Sequence, residues 1–254
     1  MVETHKTALV TGGARRIGRA IVEDLARHGF AVAIHYNRSG ADAAELVKSI
    51  EAASGKAVAL QADLADLDDA GGLVSAAQAA LGPVGLLVNN ASIFQDDTAT
   101  EFSREGFDRH FAIHLKAPLE LVKSFSATLP HGSEGLVVNI IDQRVWRLSP
   151  RYFSYTLSKS ALWTATRTLA QALAPRIRVN AIGPGPSIAN ERQQPSDFQA
   201  QVDGLILKRG PALAEFGATI RYLWEARSVT GQMIAIDGGQ HLAWQTPDVT
   251  GMVE

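Results

Sequence analysis

Short apolar runs alternate with amphipathic segments along this chain, and this alternation constrains its fold more than any other feature. Runs rich in Val, Ile, Leu and Ala predict strands at residues 7–11, 30–35, 57–61, 84–89, 136–141, 178–181 and 233–236. Helical periodicity between them predicts helices over 17–28, up to about 54, and over 67–81, 101–129, 150–173 and 211–225. Strands that alternate with helices form a parallel sheet with helices on both faces. We therefore expect an α/β fold with about seven strands.

The length and organisation of the chain indicate one domain. Its 254 residues contain no internal repeat, low-complexity tract or linker, so a single domain over residues 1–254 is the simplest account. The segment 183–210 opens Gly-Pro-Gly-Pro-Ser and contains a possible short helix over 198–207. Loops this long in a compact domain are usually lids or binding loops, which is our expectation here. The alternative is an ordinary surface excursion.

Composition excludes several classes of function. The net charge of −2 gives no broad electrostatic attraction for nucleic acid or an anionic membrane. With no cysteine, disulfides and thiolate catalysis are excluded, and the His and carboxylate positions show no metal-ligand spacing. There is no long apolar run and no signal-peptide pattern at the start. We expect a cytoplasmic protein that acts on a small molecule.

Gly12, Gly13 and Gly18 fall at the turn between the first strand and the first helix. In such a turn, glycines let the backbone approach a pyrophosphate, which then rests on the amides of the helix N-terminus. A glycine-rich turn alone is weak evidence for a nucleotide. Here it follows a strand and precedes an amphipathic helix, and this context favours a dinucleotide site.

The residues after the second predicted strand indicate which dinucleotide binds. Sites for NAD place an Asp or Glu there to accept a hydrogen bond from the ribose 2′-hydroxyl. This chain has no acid there until Asp42. Arg38, Ser39 and Arg16 suit a 2′-phosphate instead, because a guanidinium binds phosphate through two hydrogen bonds. We predict NADPH as the cofactor, with a solvated basic loop as the alternative.

Tyr155 and Lys159 lie one helical turn apart on the predicted inner face of the helix over 150–173. A cation about 4 Å from the phenol, at an effective dielectric of ~20, contributes roughly 4 kcal/mol toward lowering its pKa. Desolvation of the phenolate opposes this effect. We expect a lowered pKa that lets Tyr155 deliver a proton near neutral pH. The alternative is a packed tyrosine beside a lysine that reaches out to solvent.

Taken together, these motifs resemble the short-chain dehydrogenase/reductases, whose fold is a doubly wound parallel sheet of the Rossmann type. The resemblance runs from about Lys6 to Leu242 in one register. It rests on Thr11-Gly12-x-x-x-Arg16-x-Gly18, Asp63-Leu64, Asn89-Asn90-Ala91-Ser92, Tyr155-x-x-x-Lys159, Gly183-Pro184-Gly185 and Asp237-Gly238-Gly239. Arg16 replaces the middle glycine that is usual in the first of these motifs.

The resemblance implies a homotetramer in which Tyr155 is the proton donor and Lys159 also holds the nicotinamide ribose. It implies cofactor contacts from Gly12, Arg15, Arg16, Ile17, Gly18, His35, Tyr36, Asn37, Arg38, Ser39, Asp63, Leu64, Asn90, Ala91, Ser92, Tyr155, Lys159, Pro184, Gly185 and Ser187.

Two positions depart from the common family pattern. Asp142 stands where most members have a serine thirteen residues before the tyrosine, and His114 corresponds to the helix asparagine that carries a relay water. Asp142 resembles the pteridine reductase branch, which includes dihydromonapterin reductases, and so do Arg16 and the neighbouring motifs. In that branch Phe94 stacks on the pterin, while Arg16 and Ser92 contact the pterin or a cofactor phosphate. The implied substrate site is Arg16, Ser92, Phe94, Asp142 and Tyr155.

An aspartate at position 142 has a chemical logic of its own. An ionised Asp only accepts hydrogen bonds, whereas a serine could donate to a substrate carbonyl. Facing a ketone it would repel the oxyanion that hydride addition creates, but facing an amino-pyrimidine ring it would accept N–H groups. Asp142 therefore favours C=N over C=O reduction. The alternative is a helix N-cap or loop aspartate directed to solvent.

Two other functions stay open. The first is a carbonyl reductase of the same fold, acting on 3-oxoacyl or other keto substrates, and the second is a cofactor-binding sensor or scaffold without catalysis. Among the remaining residues, Arg144 and Trp146 could line the pocket, and Trp244 could reach a neighbouring subunit. His114 is expected to be packed or hydrogen-bonded rather than a base, and Arg109 to belong to a solvated helix face.

Overall fold

The computed structural model describes residues 3–189, 194–246 and 250, and a parallel sheet forms its centre. The order is β4-β3-β2-β5-β6-β7-β8, and β1 pairs with β6 outside this path. The strands are β1 Glu3–Thr4, β2 Thr7–Val10, β3 Ala31–Tyr36, β4 Ala57–Gln61, β5 Leu86–Asn89, β6 Ser133–Ile140, β7 Ile177–Pro184 and β8 Met233–Ile236.

Seven of these strands match the predicted runs, with shifts of a few residues at their ends. Strands β2 and β5 are buried along their whole length, which explains why they appear in the sequence as continuous apolar runs. Only β1 was missed, because a strand of 2 residues is too short to show a period.

Helices cover both faces of the sheet. α1, α2 and α8 pack on one face through side chains such as Leu25, Leu46 and Phe216. α3 and α5 pack on the other through side chains such as Leu73 and Phe125. The helices are α1 Arg16–Arg27, α2 Gly40–Ala52, α3 Leu67–Leu81, α4 Arg104–Phe111, α5 Ala117–Thr128, α6 Phe153–Leu173, α7 Pro195–Asp203 and α8 Leu213–Glu225. This is the predicted doubly wound, Rossmann-type α/β architecture.

Three predicted helices differ from the observed ones. The helix predicted over 101–129 begins at Arg104, because the Ser103 hydroxyl accepts the Gly106 amide as an N-cap, and a π-helical segment, Ala112–Lys116, separates α4 from α5. α6 begins at Phe153, three residues after the predicted start, and α7 begins earlier than predicted because Pro195 occupies its first turn.

The strand order creates a crevice at one edge of the sheet. The chain passes from β2 to β3 on one side and returns to β5 on the other. Ligands of open α/β sheets bind at such a switch point, beyond the carboxyl ends of the strands. Within the described residues, no helix combines the length and the apolar character needed to cross a bilayer.

Candidate active site

The glycine turn after β2 is tightly folded against its neighbours. Gly12 has a φ of 61°, in the left-handed region that favours glycine. A Cβ on Gly18 would lie 2.1 Å from the carbonyl oxygen of Gly12 and 2.6 Å from the Asn90 amide nitrogen. That amide donates to the carbonyls of Thr11, at 2.8 Å, and Gly12, at 3.1 Å. The turn is therefore shaped by backbone contacts that no larger residue at position 18 would allow.

His35 supports this turn through a hydrogen bond to its backbone. Its Nδ1 accepts the amide of Gly12 at 3.1 Å, so its Nε2 carries the proton and donates to the carbonyl of Ala62 at 3.2 Å. The side chain is buried, and burial lowers the pKa of His35. His35 was predicted among the cofactor contacts, and the structure places it as a neutral support for the turn.

A cavity of about 360 Å³ lies beside the turn. Many of the predicted cofactor residues line it: Gly12, Arg15, Arg16, Ile17, Gly18, His35, Asn37, Asp63, Leu64, Asn90, Ala91 and Ser92. Ile93, Ile113 and Arg109 complete the lining. Arg109 is exposed, as the sequence predicted, and it borders the mouth of the cavity. A larger groove, of about 880 Å³, lies at the opposite edge of the sheet, away from these motifs.

The turn and its surroundings fit a phosphorylated dinucleotide. α1 begins without a side-chain cap, so the amides of its first turn are available to a phosphate. Beyond β3 the chain presents Asn37 and an exposed Arg38, and its next acid, Asp42, lies within α2. A 2′-phosphate suits this arrangement better than a free ribose hydroxyl does.

Other predicted cofactor residues lie outside this cavity. Tyr36 packs with the apolar cluster of α1 and α2, while Pro184 ends β7. Gly185 is pressed against Asp237, whose Cα would lie 2.6 Å from an added Cβ.

The Arg16 guanidinium, predicted to meet pterin or phosphate, donates to carbonyls of the loop after β7, those of residues 188 and 189. Thus Arg16 joins the glycine turn to the loop on the other side of the crevice.

Asp142, Tyr155 and Lys159 meet at the carboxyl end of β6. The Tyr155 hydroxyl donates to Asp142 Oδ2 at 2.9 Å. Lys159 Nζ donates to the carbonyl of Ile140 at 2.8 Å and lies 5.8 Å from the centroid of the Tyr155 ring. Tyr155 and Lys159 are buried on the inner face of α6, as the four-residue spacing predicts. The structure therefore brings together the three residues predicted to be catalytic.

The expected lowering of the Tyr155 pKa was wrong. Burial raises the pKa of Tyr155 well above its ordinary value, and the neighbouring Asp142 carboxylate raises it further by charge and by hydrogen bonding. Lys159 directs its ammonium to the Ile140 carbonyl instead of the phenol oxygen, and burial lowers the pKa of Lys159 to about 8. Tyr155 is therefore a hydroxyl donor that keeps its proton through the neutral range.

Asp142 faces the site, as predicted, and also caps a short helix, which was the alternative. Its Oδ1 accepts the amide of Arg144 at 2.8 Å, as an N-cap of the 3-10 helix Gln143–Val145, while its Oδ2 faces Tyr155. Burial raises the pKa of Asp142, and the Arg144 amide and guanidinium act against this rise. The carboxylate is therefore directed at the phenol, and not into bulk solvent.

Phe94 forms an aromatic wall beside this triad. Its ring stacks on Tyr152 with centroids 4.2 Å apart and meets Tyr155 edge-on at 4.8 Å. The Arg144 guanidinium lies 4.9 Å from the Tyr152 ring and 5.9 Å from the Phe94 ring. Tyr152 was not predicted, because its left-handed φ of 57° at the start of α6 leaves no pattern in the sequence. The described residues contain no group of three or more His, Cys, Asp or Glu side chains that could hold a metal ion.

The family model for short chain dehydrogenases matches residues 6–197, and the chain belongs to this family. An uncharacterized oxidoreductase of Methylorubrum extorquens is 34% identical over 92% of this chain and 97% of its own length. A 3-oxoacyl-acyl-carrier-protein reductase of Staphylococcus epidermidis is 29% identical over 94% of this chain and 100% of its own length.

Two solved structures are much more similar. The FolM alternative dihydrofolate reductase 1 of Brucella suis, in complex with NADP, is 60% identical, with a TM-score of 0.94 over 98% of this chain and 100% of that chain. Its counterpart from Brucella canis, also complexed with NADP, is 59% identical, with a TM-score of 0.91 over 96% of this chain and 97% of that chain. A blue fluorescent protein from a metagenomic library, in complex with NADPH, is 34% identical, with a TM-score of 0.85 over 94% and 99% of the two chains.

Proposed function

We propose that this protein is an NADPH-dependent reductase of pteridines, which reduces a dihydropterin-like C=N bond. The observation that carries the proposal is the Asp142 carboxylate, placed 2.9 Å from the Tyr155 hydroxyl where a keto reductase would use a hydroxyl donor. The similarity to two NADP-bound FolM proteins named alternative dihydrofolate reductases supports both the substrate class and the cofactor.

The cofactor is held along the crevice. The glycine turn and the first amides of α1 would bind the pyrophosphate, Arg38 and Ser39 would bind the 2′-phosphate, and Asp63 would hold the adenine. Asn90 and Ala91 would contact the cofactor along the crevice, and Pro184, Gly185 and Ser187 would hold its nicotinamide end. When bound, NADPH supplies the hydride that reduces the carbon of the C=N bond.

The protein residues handle the accompanying proton. Asp142 accepts N–H groups of the pterin ring and orients it against Phe94. Tyr155 donates its hydroxyl proton to the ring nitrogen as the adjacent carbon is reduced. Its raised pKa keeps this proton in place until the substrate binds. The Lys159 ammonium stays bonded to the Ile140 carbonyl, but 5.8 Å from the centroid of the Tyr155 ring it is close enough to offset part of the negative charge left on the phenol. Lys159 would also bind the nicotinamide ribose.

The test is a substrate panel with the purified protein. NADPH oxidation is measured with dihydrobiopterin, dihydromonapterin, dihydrofolate and a β-ketoacyl thioester, and then repeated with NADH. We expect turnover with dihydropterins and a preference for NADPH. Turnover of the thioester with inert pterins would indicate a carbonyl reductase, which is also the function named for the 29% identical relative. Binding of NADPH without turnover of any substrate would indicate a sensor or scaffold.

The proposal extends to assembly and location. By family resemblance the chain is one domain that forms a cytoplasmic homotetramer, with the loop after β7 covering the substrate. Of the segment 183–210 predicted for this role, residues 190–193 lie outside the described part of the chain. Leu242 and Trp244 are 60% and 61% exposed, and such side chains are typical of a subunit interface. Light scattering of the purified protein measures the assembly, and a monomer at micromolar concentration would contradict this part of the proposal.

A further inference from the structure

A connected set of hydrogen bonds and aromatic contacts surrounds Tyr155, and His114 takes part in most of them. His114 lies in the π-helical segment Ala112–Lys116, with 1% of its surface exposed. We infer that His114 is a positioning residue that fixes the distance between Tyr155 and the segment 92–94. The consequence for catalysis rests on the proposed function, but the contacts themselves do not.

Both ring nitrogens of His114 are engaged. Nε2 accepts the backbone amide of Ile93 at 3.1 Å and lies 2.9 Å from the Ser92 hydroxyl. Nδ1 lies 2.8 Å from the hydroxyl of Ser158, which in turn donates to the carbonyl of Tyr155 at 2.8 Å. One imidazole therefore links the segment after β5 to the helical turn that carries Tyr155.

These contacts determine the tautomer. A backbone amide can only donate, so the Ile93 contact requires a lone pair on Nε2. The proton of Ser158 is committed to a carbonyl, so the hydroxyl must accept from Nδ1. The two requirements agree on a neutral imidazole with its proton on Nδ1.

Phe94 belongs to the same set of contacts. Its aromatic ring meets that of Tyr155 edge-on at 4.8 Å, and the His114 ring meets the same Tyr155 ring edge-on at 5.4 Å. The proposed pterin wall and the proposed proton donor are thus tied to one imidazole. A displacement of about 1 Å between reacting groups can cost ~100-fold in rate. The geometry that His114 fixes is therefore relevant to turnover.

The link works only while His114 is neutral. A protonated ring would present N–H to the Ile93 amide, so the contact would break. Burial lowers the pKa of His114 well below its ordinary value, and electrostatic repulsion from Lys159 of α6, together with the neighbouring His110 of α4, acts in the same direction. The imidazole therefore stays in its linking form throughout the neutral range.

The test separates the two halves of the link. In His114→Gln the amide oxygen takes the place of Nε2, and in His114→Asn the amide nitrogen takes the place of Nδ1, so each variant keeps one half of the link. Ser158→Ala removes the hydroxyl that Nδ1 contacts, so it breaks the same half of the link as His114→Gln does. The matched control is His110→Asn, which removes a histidine equally buried and also edge-on to Tyr155. Among the described contacts, the His110 ring nitrogens bond only the Gly106 carbonyl of α4.

We expect His114→Gln, His114→Asn and Ser158→Ala each to lower kcat with the pterin by about 10- to 100-fold, with little change in the Kd of NADPH. The solvent deuterium isotope effect on kcat should rise, because proton transfer becomes slower. Ser158→Ala should add little in a His114→Ala background, since both residues act through one link. His110→Asn should lower Tm while kcat and the isotope effect are retained.

Two results would overturn the inference: unchanged kcat in the His114 variants, or equal losses of kcat in His110→Asn. A third measurement does not depend on activity. Nitrogen NMR of labelled histidine should show His114 neutral with its proton on Nδ1, and the opposite tautomer would contradict this set of contacts. If the wild-type protein reduces no pterin but shows this tautomer, the proposed function fails and the structural link stands.

Discussion

The Tyr155 hydroxyl donates its hydrogen bond to a carboxylate, Oδ2 of Asp142, at 2.9 Å. This pairing has opposite effects on the two groups. Asp142 raises the pKa of Tyr155, while the hydrogen bond from Tyr155 acts against the burial that raises the pKa of Asp142. The pair keeps one strong donor and one strong acceptor side by side, which suits a ring that offers N–H groups and needs a proton on nitrogen.

Exchange of the carboxylate should change the substrate class. We expect Asp142→Ala to lower kcat/KM for dihydropterin by about 100-fold or more, because the ring loses its acceptor. Asp142→Ser should lose pterin reduction to a similar extent and gain activity toward a ketone, since the serine hydroxyl donates to an oxyanion. Steady-state kinetics with both substrate classes measure this. Equal activity of Asp142→Ser and the wild type with pterin would contradict the proposed role.

Removal of the phenol hydroxyl should stop proton delivery without unfolding the protein. Tyr155→Phe keeps the ring and its edge contacts with Phe94 and His114. We expect kcat to fall by about 100- to 10,000-fold, the range for loss of a general acid. NADPH affinity, measured by its fluorescence, serves as the control and should be retained. A Tyr155→Phe protein with more than about a tenth of wild-type kcat would mean that another group supplies the proton.

The close packing around Gly18 predicts that an added methyl group there prevents cofactor binding. A Cβ in Gly18→Ala would lie 2.1 Å from the Gly12 carbonyl, so the turn must open and NADPH binding should be lost. The matched control is Gly71→Ala in α3, where nothing lies within 4 Å of the added carbon. That variant should gain about 0.5–1 kcal/mol of stability, because alanine favours a helix interior. Thermal unfolding and NADPH titration of both variants measure these effects, and tight NADPH binding by Gly18→Ala would contradict the fit.

Much of the fold was visible in the sequence because its signals are periodic. β6 and α6 each carry an apolar pattern long enough to identify, and the positions of Asp142, Tyr155 and Lys159 follow from the ends and faces of these elements. Their meeting at one edge was therefore predictable from the parallel sheet alone.

What the sequence did not predict depends on contacts between distant segments. The π-helical segment carries His114, whose contact with Ser92 does not follow from a regular helical period. The direction of the Tyr155 pKa depended on which neighbour its oxygen meets. The four-residue spacing placed Lys159 on the same face of the helix as Tyr155, but its ammonium donates to the Ile140 carbonyl and not to the phenol oxygen.

Stability at alkaline pH should report the buried Lys159. Its pKa is lowered from 10.5 to about 8 in the folded protein, so between these values the unfolded chain binds more protons. Stability from this group therefore rises with pH across that window. Each pKa unit corresponds to about 1.36 kcal/mol, which gives a total of about 3 kcal/mol.

The measurement compares urea unfolding of the wild type with that of Lys159→Met, because all other titrating groups are the same in the two proteins. The free energy of unfolding of the wild type should increase relative to that of the variant as pH rises from about 8 to 10. A constant difference across this range would mean that Lys159 keeps an ordinary pKa. Lys159→Met should also lose turnover, since the ribose contact and the balancing charge are removed.

Cofactor preference should depend on the exposed loop after β3. Arg38→Ala removes the guanidinium proposed to bind the 2′-phosphate, and loss of such charged hydrogen bonds costs about 1.5–3 kcal/mol, or roughly 10- to 100-fold in affinity. We expect this increase in KM for NADPH and little change in KM for NADH, because NADH lacks the phosphate. Arg104→Ala is the control, since Arg104 is also exposed but belongs to α4 and is not among the residues proposed to bind the cofactor. If Arg38→Ala weakened both cofactors equally, Arg38 would support the loop without binding the phosphate, and the choice of NADPH would depend on Arg15, Arg16 or Ser39.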